Sequence, residues 1–327
     1  MSDAAEIDLG PLHDYYEIEY AVEDFRAAIL AGLSQPQKRI LSKYFYDERG
    51  SRLFEQITQL PEYYPTRTET ALLRAHAAEF AELIGPHASL VEFGSGSSTK
   101  VRILLDALEA PSGYVPIDIS RDHLIESAKD LAEAYPDLMV VPIAADYTKP
   151  LKLPEIANEL VRIGFFSGST IGNFLYAEAV DFLRTAATEL GTDNGLLIGV
   201  DLKKDEAILH AAYNDAAGIT AQFNLNILRH INRELDADFD LDGFSHDARW
   251  RPEEGRVEMH LVSKHSQTVL VGGQVFEFAE GESIHTEDSH KYTVEEFHAL
   301  AAEAGWRAFR HWTDADDLFS IHYLRVA

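Results

Sequence analysis

The sequence predicts a doubly wound α/β domain whose mixed sheet ends in a β-hairpin, joined to a second, smaller α+β unit. Three observations predict it. The apolar run Ser89-Leu-Val-Glu-Phe93 enters the small-residue turn Gly94-Ser-Gly-Ser-Ser98, and a helical pattern follows from Thr99. From 89 to 201, five short apolar strands alternate with helical stretches, which implies a parallel sheet covered on both faces. Beyond 204 the pattern changes to a helical stretch and then alternating β segments, and the chain ends with two strands around Asp314-Ala-Asp-Asp317.

Taken in order, residues 1–15 read as a loose tail. Apolar residues at Tyr20, Ala21, Phe25, Ile29 and Leu33 keep helical spacing over 16–33. A second amphipathic helix is expected over 67–83, after the start signal Pro65-Thr66. The α/β run then reads as strand 89–93, helix 99–108, strand 113–118, helix 121–134, strand 139–144, strand 162–167, helix 177–190 and strand 195–201. Residues 205–235 read as helix and 254–285 as antiparallel β, after which come helix 293–304 and strands 306–312 and 319–326. The expected division is 16–66 with 204–290 as a substrate-binding domain, and 67–203 with 291–327 as the sheet domain.

Composition narrows the functional classes. The 327 residues carry 55 acidic against 28 basic side chains, a formal charge of −27, which repels phosphate backbones and argues against nucleic acid as a partner. Cysteine is absent, which excludes disulfides, thiolate nucleophiles and zinc–cysteine sites. The N-terminal stretch is polar, and no apolar run reaches the length of a membrane span. A soluble cytoplasmic protein without membrane partners is the expectation.

The glycine turn points to a nucleotide-type ligand. Gly94 and Gly96 let the backbone pass close under a ligand, and the following helix aims its N-terminal amides at the turn. A dinucleotide site needs a third glycine where this chain has Thr99. Asp118 ends the second strand, where a carboxylate can accept bonds from ribose hydroxyls. Asp146 and Tyr147 end the third, where an acid and a ring can flank adenine. A lone Asp is often a cap or loop residue. Together these groups favour an adenosine ligand without pyrophosphate, and S-adenosylmethionine (SAM) is the candidate. The terminal hairpin also suits a methyltransferase sheet better than a dehydrogenase one. Lys100 lies within reach of the methionine carboxylate. At the fourth strand, Gly168-Ser-Thr-Ile-Gly172-Asn173 offers an amide that can hold an amino acid's carboxylate and amine, although Gly-Asn is also an ordinary turn. Tyrosines crowd 44–46 and 63–64 and suit a site that holds a quaternary ammonium. His285, His290 and His298 lack the spacing of a zinc motif, so no metal is expected.

At these residues the chain resembles the SAM-dependent histidine Nα-methyltransferases of ergothioneine biosynthesis, which convert histidine to trimethylhistidine (hercynine). The resemblance rests on Phe45-Tyr-Asp47, Leu60-Pro-Glu-Tyr-Tyr-Pro-Thr-Arg-Thr-Glu69, Glu92-Phe-Gly-Ser-Gly96, Gly168 to Asn173, Tyr213 to Asn224, Ile231 to Leu235, and Thr286-Glu-Asp-Ser289 with Lys291. It covers nearly all of the chain past residue 40. The resemblance implies a class I (Rossmann-like) methyltransferase sheet with Gly94, Lys100, Asp118, Asp146 and Tyr147 around SAM. It further implies that Tyr63, Asn173 and Tyr213, with Gly168, grip the amino-acid backbone, that Tyr46 and Tyr63 position the amine without a dedicated base, and that Glu287 and Ser289 hydrogen-bond the imidazole. One departure is Asp288-Ser-His-Lys-Tyr292, where actinobacterial members read Val-Ser-Cys-Lys-Phe. L-histidine is the expected substrate, with another aromatic amino acid such as tryptophan as the alternative, and a monomer is the expected state.

Overall fold

The structure is a computed structural model that describes residues 9–18, 25–96, 98–149, 153, 161–192 and 194–327. Its frame is a nine-stranded sheet. The strand order is β1 (Tyr16–Glu17), β5 (Ile143–Ala144), β3 (Gly113–Asp118), β2 (Ser89–Phe93), β6 (Arg162–Phe166), β7 (Gly195–Asp201), β14 (Phe319–Val326) and β13 (Trp306–Thr313), with β4 (Met139–Val140) also on β3. All pairs are parallel except the last two, in which the terminal hairpin runs antiparallel against β7. This is the class I methyltransferase sheet expected from the sequence.

Both sheet faces are buried because strand residues alternate sides. Val91, Ile117, Phe166 and Ile198 pack with Leu183 and Phe297 in one cluster. Leu90, Tyr114, Phe165 and Leu197 pack with Leu73, Phe80, Leu104 and Leu131 in another. The covering helices are α3 (Tyr64–Ile84), α4 (Thr99–Ala107), α5 (Arg121–Ala134), α6 (Tyr176–Leu190) and α9 (Val294–Glu303). The last starts at a capping box in which Thr293 and Glu296 satisfy each other's backbone amides.

A third apolar cluster lies apart from the sheet. Ile29 and Leu33 of α1 (Phe25–Leu33), Phe45, and Leu53 of α2 (Glu48–Thr58) meet residues of a later stretch of chain. That stretch comprises α7 (Glu206–Tyr213), α8 (Ile219–Leu235), the antiparallel strands β8 (Phe244–Arg251), β9 (Arg256–Ser263) and β12 (Ser283–His290), and the hairpin β10 (Gln267–Val271) and β11 (Gln274–Phe278).

The N-terminal expectations need correcting. Tyr16–Glu17 extends the large sheet beside β5 and is neither helical nor part of the third cluster; the described helix is Phe25–Leu33. Residues 1–8 and 19–24 lie outside the described residues, but 9–15 are no loose tail, because Leu12 is buried beneath the sheet. The expected strand over 139–144 is two short pieces flanking Val141-Pro142. Proline has no amide to give the ladder.

Candidate active site

The cofactor edge is built from strand ends. Gly94 follows β2 with φ at 74°, a backbone conformation that glycine adopts without cost, and a side chain there would come within 3.4 Å of the Tyr147 hydroxyl. Asp118, at the end of β3, accepts the Ser120 amide at 2.8 Å, and burial raises its carboxyl above the ordinary range. Asp146, after β5, accepts the Thr148 amide at 3.0 Å. Tyr147 packs edge-on to Phe166 and Phe182 and leans over Gly94. Glu92, beneath the turn, is fully buried, takes the Tyr114 hydroxyl, and is pushed up to about 8 by burial.

Lys100 has a partner the sequence reading missed. Its ammonium meets the buried carboxylate of Glu69 at 2.5 Å, and Glu69 also accepts the Gly168 amide at 2.9 Å. One carboxylate on α3 thus joins the cofactor helix to the turn that leads to Asn173. Gly199 on β7 makes room for it, since a side chain there would meet Glu69 Oε1 at 2.1 Å.

The groups expected to bind the substrate lie near one another. Tyr63 is the residue that precedes α3, and its ring lies 6.5 Å from that of Tyr213. Tyr46 sits edge-on to Phe54 and Phe223 at 5.7 Å and remains 37% exposed, which leaves its ring reachable. Crowding by the surrounding protein raises the phenols of Tyr46, Tyr63 and Tyr213 well above their usual range, although Tyr46 keeps an opening to solvent, and the Glu287 charge adds to the effect on all three. They therefore act as neutral O–H groups and π faces rather than as phenolate bases. Glu287 is pushed up to about 8 by burial, with Lys291 opposing and Asp288 reinforcing the rise. Gly168 (φ 78°) leads into the short helix Thr170–Asn173, whose last residue, Asn173, is half-buried. Gly172 is pressed against the His290 carbonyl, where a side chain would come within 2.7 Å.

Glu287 reaches the cleft because β12 is irregular. His285 pairs with His260, but the next pair is Glu287 with Met259, so Thr286 is a bulge. In regular register Glu287 would lie opposite Glu258, on the other face of the strand pair.

Ser289, expected to face an imidazole, belongs to a buried net. Its hydroxyl contacts the Tyr213 hydroxyl at 2.7 Å and accepts from Lys291 Nζ at 2.7 Å. Lys291 also donates to Tyr213 and pairs with Asp201, both at 2.8 Å. Asp201 further accepts from Tyr64 at 2.8 Å and pairs with Lys204 at 2.5 Å. Burial alone would raise Asp201, but the two lysines hold it below the usual carboxylate range. The signal for Asp201 was available, because it ends the fifth strand as Asp118 and Asp146 end theirs.

Residues 25–326 match the family described as "Histidine-specific methyltransferase, SAM-dependent". The chain is 43% identical over 316 residues to a histidine N-alpha-methyltransferase of Mycolicibacterium smegmatis, covering 95% of this chain and 97% of that protein. It is 42% identical over 301 residues to the protein of the same name from Mycobacterium tuberculosis, covering 90% and 93%. It is 34% identical to ergothioneine biosynthesis protein 1 of Neurospora crassa over 85% of this chain and 32% of that one. The chain belongs to the SAM-dependent histidine-specific methyltransferase family. SAM is accordingly the methyl donor of this methyltransferase, and the glycine turn with its overhanging tyrosine and strand-end carboxylates fits an adenosine. Among the described residues, Glu258, His260 and His285 form a buried group of metal-ligand type. Arg251 and Arg256 already neutralise Glu258, and Arg39 and Arg256 neutralise the adjacent Asp288. No helix among the described residues is long and apolar enough to cross a membrane.

Proposed function

We propose that this methyltransferase moves methyl groups from SAM to the α-amino nitrogen of L-histidine, three in succession, giving trimethylhistidine (hercynine) for ergothioneine biosynthesis. The observation that carries the proposal is the meeting of Tyr46, Tyr63, Tyr213 and Glu287 in one cleft beside the strand ends of the sheet. When bound, the SAM sulfonium supplies an electrophilic methyl carbon. Each transfer would form a C–N bond as the C–S bond breaks and sulfur keeps its electron pair. It leaves the nitrogen cationic, so the first and second products each lose a proton to solvent before the next transfer. The amine must therefore arrive neutral, and burial between aromatic rings favours that form. Tyr63, Tyr213 and Asn173, with the Gly168 backbone, are assigned to the amino acid's carboxylate and amine. Tyr46 and Tyr63 aim the nitrogen, holding it within about 3–3.5 Å of the methyl group. As methyl groups accumulate, the phenol faces receive a growing cation. Glu287 takes one ring nitrogen, and Ser289 takes the other through the O–H it keeps when Tyr213 and Lys291 both donate to its oxygen. Gly94, Lys100, Asp118, Asp146 and Tyr147 take SAM.

We further read the chain as two units. One is the large sheet with 67–203, 291–327 and the strand at Tyr16–Glu17. The other is the third apolar cluster with 25–66 and 204–290. We read the protein as a monomer, and its acidic, cysteine-free composition supports a cytoplasmic one.

An amino-acid panel with SAM, read by mass spectrometry, tests the function. Histidine should gain three methyl groups with little mono- or dimethyl product released. Trimethylation of tryptophan with histidine untouched would overturn the substrate assignment.

A further inference from the structure

The block from Tyr213 to Asn224 is the longest shared segment, yet only its first residue has a role in the site. Asn224, fully buried on α8, begins a directed chain of hydrogen bonds. Its amide nitrogen donates to His246 Nδ1 at 2.8 Å and to the His260 carbonyl at 3.1 Å. His246 Nε2 lies 2.8 Å from the Tyr213 carbonyl. At the other end, the Thr286 hydroxyl donates to Asn224 Oδ1 at 2.8 Å and lies 3.0 Å from the Met259 carbonyl. Carbonyls only accept, so the Tyr213 end demands an N–H on Nε2 and the His260 end demands the amide nitrogen. The chain closes in one sense only, with His246 neutral and Nδ1 accepting.

This chain joins two parts of the amino-acid pocket. One end is the backbone of Tyr213. The other is Thr286, the bulge residue whose extra place in β12 swings Glu287 into the cleft. We propose that Asn224 and His246 are positioning residues that lock the Thr286 bulge to Tyr213, and so fix the span between the backbone grip and the side-chain pocket. The inference rests on the assignment of Tyr213 and Glu287 to the substrate. The hydrogen bonds of both residues run to Tyr213, His260 and Thr286 and to none of the residues assigned to SAM, so the network should govern the fit of histidine and leave SAM binding alone.

Acid should open the lock. A second proton on His246 would place an N–H against the Asn224 NH2. Burial lowers the affinity of His246 for that proton, against the Asp247 and Asp215 charges and the Tyr213 carbonyl and with His210 assisting. The loss therefore sets in below the ordinary histidine range of about 6.5.

Glutamine can imitate the neutral ring, because its amide carries one acceptor and one donor at a similar spacing and does not titrate. His246→Leu should raise the KM for histidine by about tenfold or more, for broken bonds in a buried chain, with kcat and SAM affinity little changed. His246→Gln should restore the KM at neutral pH. On acidification its KM should rise less than that of the wild type. The substrate's own imidazole titrates alike in both proteins, so the ratio isolates His246. An unchanged KM in His246→Leu overturns the proposal. So does a folded, SAM-binding His246→Gln that fails to restore it, or identical acid dependence in the wild type and His246→Gln, a comparison that stands even where the leucine variant does not fold. A Glu287→Ala protein with unaltered histidine KM overturns the pocket assignment itself. A raised KM there beside an unaltered one in His246→Leu overturns the network alone.

Discussion

The two halves of the cleft are made differently. On the edge proposed for the cofactor, Gly94, Asp118, Asp146 and Tyr147 each follow or end a strand, and the carboxylates bond chiefly to amides of their own turns. On the substrate side, Tyr64, Asp201, Tyr213, Ser289 and Lys291 come from distant parts of the chain and bond to one another out of water. A group set by its own turn can be altered with a local effect. A group inside a buried ionic net cannot, because its removal strands its partners.

The largest effect expected from this contrast is on stability. Asp201→Ala leaves Lys204 and Lys291 facing each other without a counter-charge and should destabilise the fold by about 3–5 kcal/mol. Denaturant titration measures this, and a midpoint like that of the wild type would mean the net is looser than its distances suggest. Asp118→Ala should behave oppositely. It should keep its fold and lose about 1.5–3 kcal/mol of SAM affinity, the range for charge-assisted bonds to ribose. Calorimetry with unchanged SAM binding would remove the adenosine role of that carboxylate.

Glu287→Ala falls between the two halves and sharpens the comparison. Activity on histidine should drop about tenfold or more for one lost hydrogen bond in a buried site. Activity on indole or apolar side chains should rise in relative terms, because no buried carboxyl is left without a partner. SAM affinity should remain near wild type. An unchanged histidine-to-tryptophan preference, read from competing substrates, would make Glu287 a structural residue of β12.

The same contrast explains what could be read in the sequence. Strand ends and glycine turns are local features, so β2, β3 and β7 and the residues Gly94, Asp118, Asp146 and Tyr147 could be placed from the order of residues alone. Glu69 could not, since on a helix of mixed polarity it resembles any solvated acid until Gly199 and Gly168 are seen beside it. Strand β8 reads Phe-Ser-His-Asp-Ala-Arg-Trp-Arg, with Phe244, Ala248 and Trp250 on one face and Ser245, Asp247, Arg249 and Arg251 on the other, so its alternation was there to be read although His246 interrupts the apolar side. Strand β12 reads as a polar loop because its buried side chains, Thr286, Asp288 and Ser289, are satisfied by partners remote in sequence. The helix expected from residue 16 failed at its start, since Tyr16 and Ile18 pack against the large sheet, while Phe25, Ile29 and Leu33 of the helical spacing do lie on α1.

The missing side chain at Gly199 makes a notch in the middle of the sheet, and Glu69 seats in it. Helix and strand are thereby keyed to each other. Sliding α3 by a turn along β7 would drive the acid into the next side chain of the strand. Tyr63 and Tyr64 head the same helix, so the notch also sets how far the two tyrosines stand from Asp201. A redesign for bulkier amino acids can reshape the cleft at Glu287 freely, but residues 69 and 199 have to travel together.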